Sequence, residues 1–317
     1  MSSSTLTLAI AQIAPVWLDR DRTLAKIADY ITRAAQQGAE VVVFGEALVP
    51  GYPYWLSLTD GATFESSIQK DWHAHYLQQS VSIEDGNLQT IQDLAAQHQI
   101  AIYLGIIERP ADRGGHSCYC SLVFIDAQGT IGSVHRKLMP TYEERLVWAT
   151  GDGHGLTTHS IGPFTAGGLS CWENWMPLPR AALYAQSENL HIATWPGCVR
   201  NTIDITRFIA KEARSYVVSA CGLLRQSDIP DTIPHYATFV QLYADAIGNG
   251  GSAIAGPDGQ WVVEPVADQE TLIVQELDLQ QVLRERQNFD PSGHYARPDV
   301  LRLELNDERQ SVLQRKG

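Results

Sequence analysis

The sequence predicts an α/β fold in which helices cover a large system of β-strands. Segments with strand character and segments with helical spacing alternate along the chain, and no linker, repeat or low-complexity stretch interrupts them. The chain has 317 residues, of which 44% are hydrophobic and 19% are charged, so one large core can form. The periodicity leaves open whether the strands form one sheet or two packed sheets.

The first three elements are a strand, a helix and a second strand. Thr5–Gln12 has strand character, and Asp21–Gln37 has the spacing of an amphipathic helix that ends at Gly38. The run AEVVVFGE at Ala39–Glu46 is apolar and rich in valine, which is typical of a strand buried on both faces. These elements begin the alternation on which the predicted fold class depends.

The alternation continues to residue 278. The turn sequences DAQG at Asp126–Gly129 and PDG at Pro257–Gly259 predict two hairpins, whereas GNGGS at Gly248–Ser252 indicates only a loop. Further helices are expected at Phe64–Gln79, Asn87–Gln99, Pro179–Ser187 and Asp204–Ser215. Further strands are expected at Ala101–Glu108, Cys120–Ala127, Thr130–Lys137, Phe164–Glu173, Leu190–Pro196, Ser215–Leu223, Gly251–Pro257 and Thr271–Asp278.

Charge and cysteine content limit the class of protein. The formal net charge is −13 and the Lys and Arg residues are scattered, so nucleic acid and anionic membranes are poor partners. The five cysteines include no CxxC pair, and the chain starts without a basic leader segment. No run approaches the roughly 18–20 apolar residues that cross a bilayer. We therefore expect a soluble cytoplasmic protein with reduced thiols.

No cofactor or metal site is predicted from the sequence. His73 and His75 are two residues apart, which places them on different sides of a helix, and HEXXH and paired-cysteine patterns are absent. No glycine-rich loop has the spacing that binds nucleotide phosphates. We therefore expect chemistry that depends on side chains alone.

Two charged residues at predicted strand ends are candidates for catalysis. Glu46 follows the apolar run VVVFG, where partial desolvation raises the pKa of a carboxyl group and suits it to general-base work. Lys137 ends a predicted strand and could stabilise developing negative charge. Taken alone, Glu46 could equally cap a loop or pair with an arginine, and Lys137 could lie on the surface. His135 and Arg136 are expected to be structural.

Cys171 is the candidate nucleophile. It follows a strand rich in small residues and precedes a helix, and at such an elbow nearby peptide N–H groups favour the thiolate. The alternative is a buried structural cysteine. We adopt that alternative for the other four cysteines, which lie within or beside apolar strands: Cys118, Cys120, Cys198 and Cys221.

The segments VVVFGEALVPGYPYW, HRKLMPTYEER and CWENWMPL resemble, in this order, the nitrilase branch of the carbon–nitrogen hydrolase superfamily. The family's catalytic glutamate, lysine and cysteine correspond to Glu46, Lys137 and Cys171. A further family glutamate, which orients the lysine or the substrate, corresponds to Glu144 in PTYEER. The segments LVWATGDG, WPG and DPSGHYARPD extend the resemblance over nearly the whole chain.

The resemblance implies a fold and an assembly. The fold is a four-layer αββα sandwich, with two β-sheets face to face and helices outside. Residues 1–300 would form one carbon–nitrogen hydrolase domain, and residues 301–317 a tail at the surface or at an oligomer interface. Family members pair through helices near the cysteine, which implies a homodimer or a larger assembly such as a spiral.

The implied activity is hydrolysis of an organic nitrile to the carboxylic acid and ammonia, through a covalent thioimidate and then a thioester. Four aromatic residues lie within or beside the family's site segments and are expected to contact an apolar substrate: Tyr52, Tyr54, Trp172 and Trp195. Glu173 and Asn174 distinguish nitrilases from related amidases, unless they only support the elbow.

Two other functions stay open at the level of sequence. An amidase or carbamoylase of the same superfamily would use the same nucleophile on a different bond. A catalytically silent scaffold that binds partners would also retain the fold, although intact Glu46, Lys137 and Cys171 argue against it.

Overall fold

The computed structural model describes residues 4–243 and 248–313, in which two β-sheets lie face to face. Three adjacent strands of the first sheet are parallel to one another, and its other neighbouring pairs are antiparallel. In spatial order its strands are β13 (Thr271–Asp278), β1 (Thr5–Gln12), β2 (Val41–Phe44), β3 (Ala101–Glu108), β4 (Tyr119–Ile125) and β5 (Ile131–Arg136).

The second sheet has a parallel centre and antiparallel edges. Its strands are, in spatial order, β10 (Leu223–Leu224), β11 (Gly248–Ala255), β9 (Tyr216–Cys221), β8 (Leu190–Trp195), β7 (Phe164–Ser170) and β6 (His159–Ile161), with β12 (Trp261–Ala267) paired to β11. Strands β7, β8 and β9 are parallel to one another.

Helices cover the two outer faces of the pair of sheets. The described helices are α1 (Arg20–Gln36), α2 (Trp55–Leu58), α3 (Ser67–Gln79), α4 (Gln89–His98), α5 (Pro177–Tyr184), α6 (Val199–Thr202), α7 (Ile205–Ala213), α8 (Tyr236–Leu242) and α9 (Leu279–Glu285). Apolar residues of α1 and α4 pack on the first sheet, and those of α7 pack on the second.

A buried apolar layer joins the two sheets. Leu8 and Val43 from the first sheet and Leu190 and Ile192 from the second belong to the same cluster and are fully buried. Sheets that are apolar on both faces need a partner layer on each side, so this layer and the outer helices account for the four-layer αββα sandwich. The predicted fold class is confirmed.

Two predictions about individual elements are wrong. The strand expected to reach Glu173 ends at Ser170, because Cys171 adopts φ +52° and begins a 3₁₀-helix. The segment expected to be a loop, Gly248–Ser252, lies in β11. Its glycines permit close packing, since a Cβ at Gly250 would lie 2.6 Å from the Gln12 side chain.

A cluster of aromatic rings supports one side of the site. The Trp17 and Phe239 rings stack with centroids 4.3 Å apart, and those of Trp55 and Trp72 stack at 5.5 Å. The Trp17 indole N–H also donates to the Tyr52 carbonyl at 2.9 Å. Short elements that have little periodicity of their own, α2 and α8, are therefore held by burial of large rings.

The C-terminal segment crosses the surface without regular structure. Arg309 donates to the Asp152 carboxylate at 2.9 Å and to the Val134 carbonyl at 2.7 Å, which attaches this segment to the loop after Lys137. Residues 314–317 of the expected tail lie outside the described residues. In the described part of the chain, no helix combines the length and the apolar character that crossing a bilayer requires.

Removing apolar volume between the sheets should destabilise the protein. Leu190→Ala opens a cavity at a fully buried position and should lower the free energy of unfolding by about 2–5 kcal/mol in urea titrations. The matched control is Leu283→Ala on α9, where the side chain is 55% exposed. That change should cost less than about 0.5 kcal/mol. Equal losses would contradict a shared core between the sheets.

Candidate active site

The ends of three strands bring the predicted reactive side chains to one edge of the sandwich. Glu46 lies two residues after β2, Lys137 directly follows β5, and Cys171 directly follows β7. A carboxylate oxygen of Glu46, a carboxylate oxygen of Glu144 and the sulfur of Cys171 lie within 4.8 Å of one another. Residues far apart in the sequence thus share one small buried volume.

Lys137 connects the two carboxylates. Its Nζ donates to Glu46 Oε1 at 2.8 Å and to Glu144 Oε2 at 2.7 Å, and all three side chains are almost fully buried. The Tyr52 hydroxyl donates to the other Glu144 oxygen at 2.8 Å. Glu46 Oε2 has no hydrogen-bond partner among the described residues, so it is available to accept a proton.

Burial controls the protonation of the acid and the lysine. Desolvation raises the pKa of Glu46 to about 7, with Glu144 adding to the rise and Lys137 opposing it. Desolvation by itself would lower the pKa of Lys137, but the facing Glu46, Cys171 and Glu144 hold that pKa well above its usual value. Glu46 can therefore exchange a proton near neutral pH while Lys137 stays charged.

Cys171 lies at a strained turn between β7 and the 3₁₀-helix Cys171–Trp175. Its φ of +52° is unfavourable for a residue with a Cβ, and Glu173 and Ser170 stabilise the turn with a reciprocal capping box. Burial and the nearby Glu46 raise the pKa of the thiol well above its usual value, although a hydrogen bond from the Trp172 N–H lowers it. The sulfur is thus a thiol at neutral pH and needs a base.

One buried histidine–glutamate pair supports the front of this turn. Glu173 accepts from the Ser170 N–H at 2.9 Å and from the Leu138 N–H at 2.6 Å, and its two oxygens lie 3.1 Å from His135 Nε2. Glu173 thereby links the cysteine turn to the residue after Lys137. Its carboxylate is occupied by these contacts, as expected if it supports the elbow.

A second pair supports the back of the turn. Asn174 Nδ2 donates to the Cys171 carbonyl at 2.9 Å and to the Leu169 carbonyl at 3.2 Å, and Asn174 Oδ1 lies 2.8 Å from His191 Nε2. His191 Nδ1 lies 2.9 Å from Glu188 Oε1. Because the amide nitrogen already donates twice, its oxygen must accept, and His191 Nε2 carries a hydrogen.

Sequence reasoning missed His191, Glu188 and Cys120. A glutamate three residues before a histidine inside an apolar strand was the available signal for the first two, because a buried polar pair needs mutual hydrogen bonds. The sequence predicts that Cys120 is a buried structural thiol. It is buried, and its Sγ also donates to Glu46 Oε1 at 3.4 Å, a contact that its local motif does not indicate. Arg136 pairs with Glu108 at 2.7 Å and is structural, as predicted.

The four predicted aromatic contacts lie in different environments. Tyr52 and Tyr54, whose ring centroids are 4.9 Å apart, line a narrow cleft beside Glu46. Trp195 is fully buried in the cluster behind Cys171, where its Nε1 donates to Ser219 at 3.3 Å. The Trp172 ring is 53% exposed. Substrate contact by each of the four stays a prediction.

Glu46, Glu144 and Cys171 also present three metal-ligand atoms to a common point. The Lys137 ammonium already takes one oxygen from each carboxylate. A cation that entered would face this positive charge, so the arrangement suits proton transfer and nucleophilic attack better than metal binding.

Comparison with known proteins gives consistent matches over the whole chain. The model of the carbon–nitrogen hydrolase family matches residues 7–287. An aliphatic nitrilase of Rhodococcus rhodochrous is 35% identical over 318 residues, covering 97% of this chain and 81% of that protein. Nitrilase 2 of Arabidopsis thaliana is 35% identical over 313 residues, covering 97% and 91%. An arylacetonitrilase of Aspergillus kawachii is 33% identical over 318 residues, covering 95% and 92%.

Solved structures support the same architecture. The NitFhit protein of C. elegans superposes with a TM-score of 0.67 at 17% identity, covering 98% of this chain and 70% of that one. An amidase from Nesterenkonia sp. AN1, with acrylamide added to its active-site cysteine, gives a TM-score of 0.64 at 17% identity, covering 89% and 97%. At this identity the likeness concerns the fold.

Replacing Glu173 should destabilise the protein in a pH-dependent way. Glu173→Gln puts an amide among N–H donors and should cost about 2–4 kcal/mol of unfolding free energy at pH 7. His135 and the N–H donors outweigh burial and hold the Glu173 pKa below its usual value. The difference in unfolding free energy between wild type and Glu173→Gln is therefore fully present above about pH 4.3 and becomes smaller as the pH drops further.

Urea unfolding at a series of pH values measures this difference. Glu276→Gln, at an exposed position of β13, is the control and should cost little at any pH. A difference between wild type and Glu173→Gln that stays constant down to pH 3 would contradict a charged Glu173.

Proposed function

Since the chain belongs to the carbon–nitrogen hydrolase family, we propose that it hydrolyses an organic nitrile to the carboxylic acid and ammonia, with Cys171 as nucleophile. One observation carries the proposal: the Cys171 thiol, the Glu46 carboxylate and the Glu144 carboxylate meet within 4.8 Å around the buried Lys137 ammonium. Nitrilases that are 32–35% identical over nearly the whole chain support the same reaction.

The first step forms a covalent intermediate. Glu46 accepts the thiol proton through Oε2 while the sulfur attacks the nitrile carbon, so a C–S bond forms and one C–N π bond breaks. The proton then passes to the substrate nitrogen and gives a thioimidate. Lys137 and the Trp172 N–H stabilise the negative charge that develops on this nitrogen.

Two water additions complete the reaction. Glu46 removes a proton from the first water, which adds to the thioimidate carbon, and the tetrahedral intermediate breaks its C–N bond to release ammonia. A second water hydrolyses the remaining thioester to the acid and restores the thiol. If the tetrahedral intermediate breaks its C–S bond instead, an amide leaves.

Glu144 positions the lysine. Its Oε2 accepts from Lys137 Nζ and from the Thr141 N–H at 2.6 Å, and its Oε1 accepts from Tyr52. The carboxylate is therefore saturated with donors and is a weak candidate for proton transfer. It holds the ammonium next to Glu46.

Apolar side chains beside Glu46 favour an apolar substituent on the nitrile. Leu48, Tyr52, Tyr54 and Leu224 line a cleft there, and its cavity of about 10 Å³ must widen to admit a substituent. Tyr52 and Tyr54 are the proposed substrate contacts. Trp172 and Trp195 adjoin the nucleophile and are also proposed as substrate contacts.

Amide hydrolysis is the second candidate function. A thiol, a carboxylate base and an ammonium can attack an amide carbon by the same route, and the fold is shared with the Nesterenkonia amidase. Turnover of amides without turnover of nitriles would identify this function.

We propose a cytoplasmic homodimer built from the domain at residues 1–300. Three large apolar side chains next to the nucleophile are exposed: Trp172, Trp175 and Leu178, the last at 67%. Exposed apolar side chains of this size that lie together are typical of an interface. The tail at residues 301–317 is proposed to lie at the surface or at the edge of that interface.

Removing the nucleophile should abolish turnover. In a panel of aliphatic nitriles, benzonitrile, phenylacetonitrile and the matching amides, the wild type should release ammonia and acid in equal amounts from nitriles. Cys171→Ala should lower kcat at least about 10³-fold while the unfolding curve stays near that of wild type. The matched control Cys118→Ala removes a buried thiol outside the site and should retain activity.

Activity of the Cys171→Ala variant would contradict the proposed mechanism. An adduct on the Cys171 peptide after brief exposure to substrate, detected by mass spectrometry, would support it. Turnover of neither nitriles nor amides by the wild type would favour a non-catalytic scaffold.

A charge in the apolar surface should separate the protomers. Wild type is expected to sediment as a dimer or a larger assembly, and Leu178→Asp should shift it towards the monomer because it places a carboxylate in the contact. The control Leu283→Asp alters a leucine on α9 that is 55% exposed and should leave the assembly unchanged. A monomeric wild type would contradict the proposed interface.

A further inference from the structure

Cys120 is a second thiol inside the reactive cluster. It lies in β4, is 1% exposed, and donates from Sγ to Glu46 Oε1 at 3.4 Å. Its carbonyl accepts from the Lys137 N–H at 2.8 Å. One residue of β4 therefore contacts both the acid and the backbone of the lysine that pairs with it.

On the basis of the proposed function, we infer that Cys120 is a positioning residue for Glu46. Its thiol holds Oε1, leaves Oε2 as the oxygen that accepts the Cys171 proton, and extends the reaction to lower pH.

The geometry of the carboxylate supports this role. Oε1 receives two donors, Cys120 Sγ and Lys137 Nζ, whereas Oε2 receives none from the described residues. Rotating the carboxylate away from this orientation would break both hydrogen bonds. The backbone is fixed as well, because the Glu46 N–H donates to the Trp195 carbonyl at 3.1 Å.

Close packing beneath Glu46 restricts the remaining freedom. A Cβ at Gly105 of β3 would lie 2.2 Å from the Gly45 carbonyl and 2.7 Å from the Glu46 Cα, so β3 contacts this backbone directly. With the backbone held, the side-chain donors decide the direction of the carboxylate. Cys120 and Lys137 are those donors.

The electrostatic surroundings explain why a weak donor matters. The titratable groups that face Glu46 are Lys137, Glu144, the thiols of Cys120, Cys171 and Cys221, and the tyrosine hydroxyls of the cleft. Burial raises the pKa of Glu46 to about 7, and the bond from Cys120 opposes the rise. Loss of that bond should therefore raise the pKa of Glu46 further and leave less of the base deprotonated near neutral pH.

Cys120 stays a donor throughout this range. Burial and the adjacent Glu46 raise the pKa of its thiol well above the usual value. Glu46 therefore titrates while Cys120 keeps its hydrogen. Cys120 contacts Glu46 Oε1 and not the free Oε2, which separates its role from that of Cys171.

Two substitutions separate hydrogen bonding from space filling. Cys120→Ser keeps a donor in a smaller side chain, and Cys120→Val loses the donor in a larger side chain. A packing role predicts similar effects in both variants, because each changes the volume at a buried position. A positioning role predicts that only the valine variant shifts the pH dependence. Cys118→Ser is the matched control, because Cys118 is buried two residues away and contacts Ser80 at 3.3 Å.

The pH dependence of kcat/KM for a nitrile and of Cys171 alkylation by iodoacetamide measures the effect. Alkylation is followed on the Cys171 peptide by mass spectrometry. In wild type both rates should fall as the pH drops below about 7, because Glu46 becomes protonated; this decline is the acid limb of the profile. Cys120→Val should move this acid limb upward by roughly half to one pH unit.

Cys120→Ser and Cys118→Ser should keep the acid limb within about 0.3 pH unit of wild type. Glu46→Gln should remove the acid limb from the alkylation profile. An unchanged limb in Cys120→Val, or equal shifts in the valine and serine variants, would overturn the inference.

The alkylation profile separates this inference from the proposed function. If wild type hydrolyses no nitrile but the valine variant still shifts the alkylation limb, the proposed function fails and the role of Cys120 stands. If nitriles are hydrolysed and neither limb moves, the inference about Cys120 fails alone.

Discussion

The Lys137 ammonium lies between two buried carboxylates, and the surrounding residues supply the hydrogen bonds that these buried charges require. Charges inside a protein are costly unless they are paired and hydrogen-bonded. Lys137 pairs with both Glu46 and Glu144. The Tyr52 hydroxyl and the Thr141 N–H also donate to Glu144, and the Cys120 thiol donates to Glu46. One carboxylate oxygen, Glu46 Oε2, receives no hydrogen bond from the described residues and can accept a proton. The two acids therefore differ in role because they differ in the number of donors that they receive.

The turn that carries Cys171 is the second demanding feature. A left-handed conformation at a residue with a Cβ costs of order 1–3 kcal/mol and persists only when its surroundings enforce it. Two independent buried pairs do so, His135 with Glu173 in front and His191 with Glu188 behind. Glu173 accepts directly from the Ser170 N–H, whereas His191 acts through Asn174, which donates to the Cys171 carbonyl. The reactive sulfur can therefore face Glu46 without a polar contact of its own to either pair.

The sandwich explains how these contacts can coexist. Glu46, Lys137 and Cys120 come from the first sheet, and Cys171, Asn174 and His191 belong to the second sheet or follow it directly. The buried layer between the sheets holds the two groups in register. Periodic segments such as β1, β3 and β13 were predicted with the observed bounds, because burial and alternation are local properties. Elements such as α2 and α8 were not predicted, because they are stabilised by rings from distant segments.

The order of strands and helices, the absence of a basic stripe and the reactive residues Glu46, Lys137 and Cys171 could all be recognised from local patterns. A run of apolar residues favours burial whatever the rest of the chain does, and the residues of a motif are close together in the sequence. The pairing of the two sheets, the thiol of Cys120 against Glu46 and the His191–Asn174 contact behind the nucleophile became visible only in three dimensions. Cys120 and Glu46 are 74 residues apart, so their contact depends on strand register and sheet packing, which no short segment encodes.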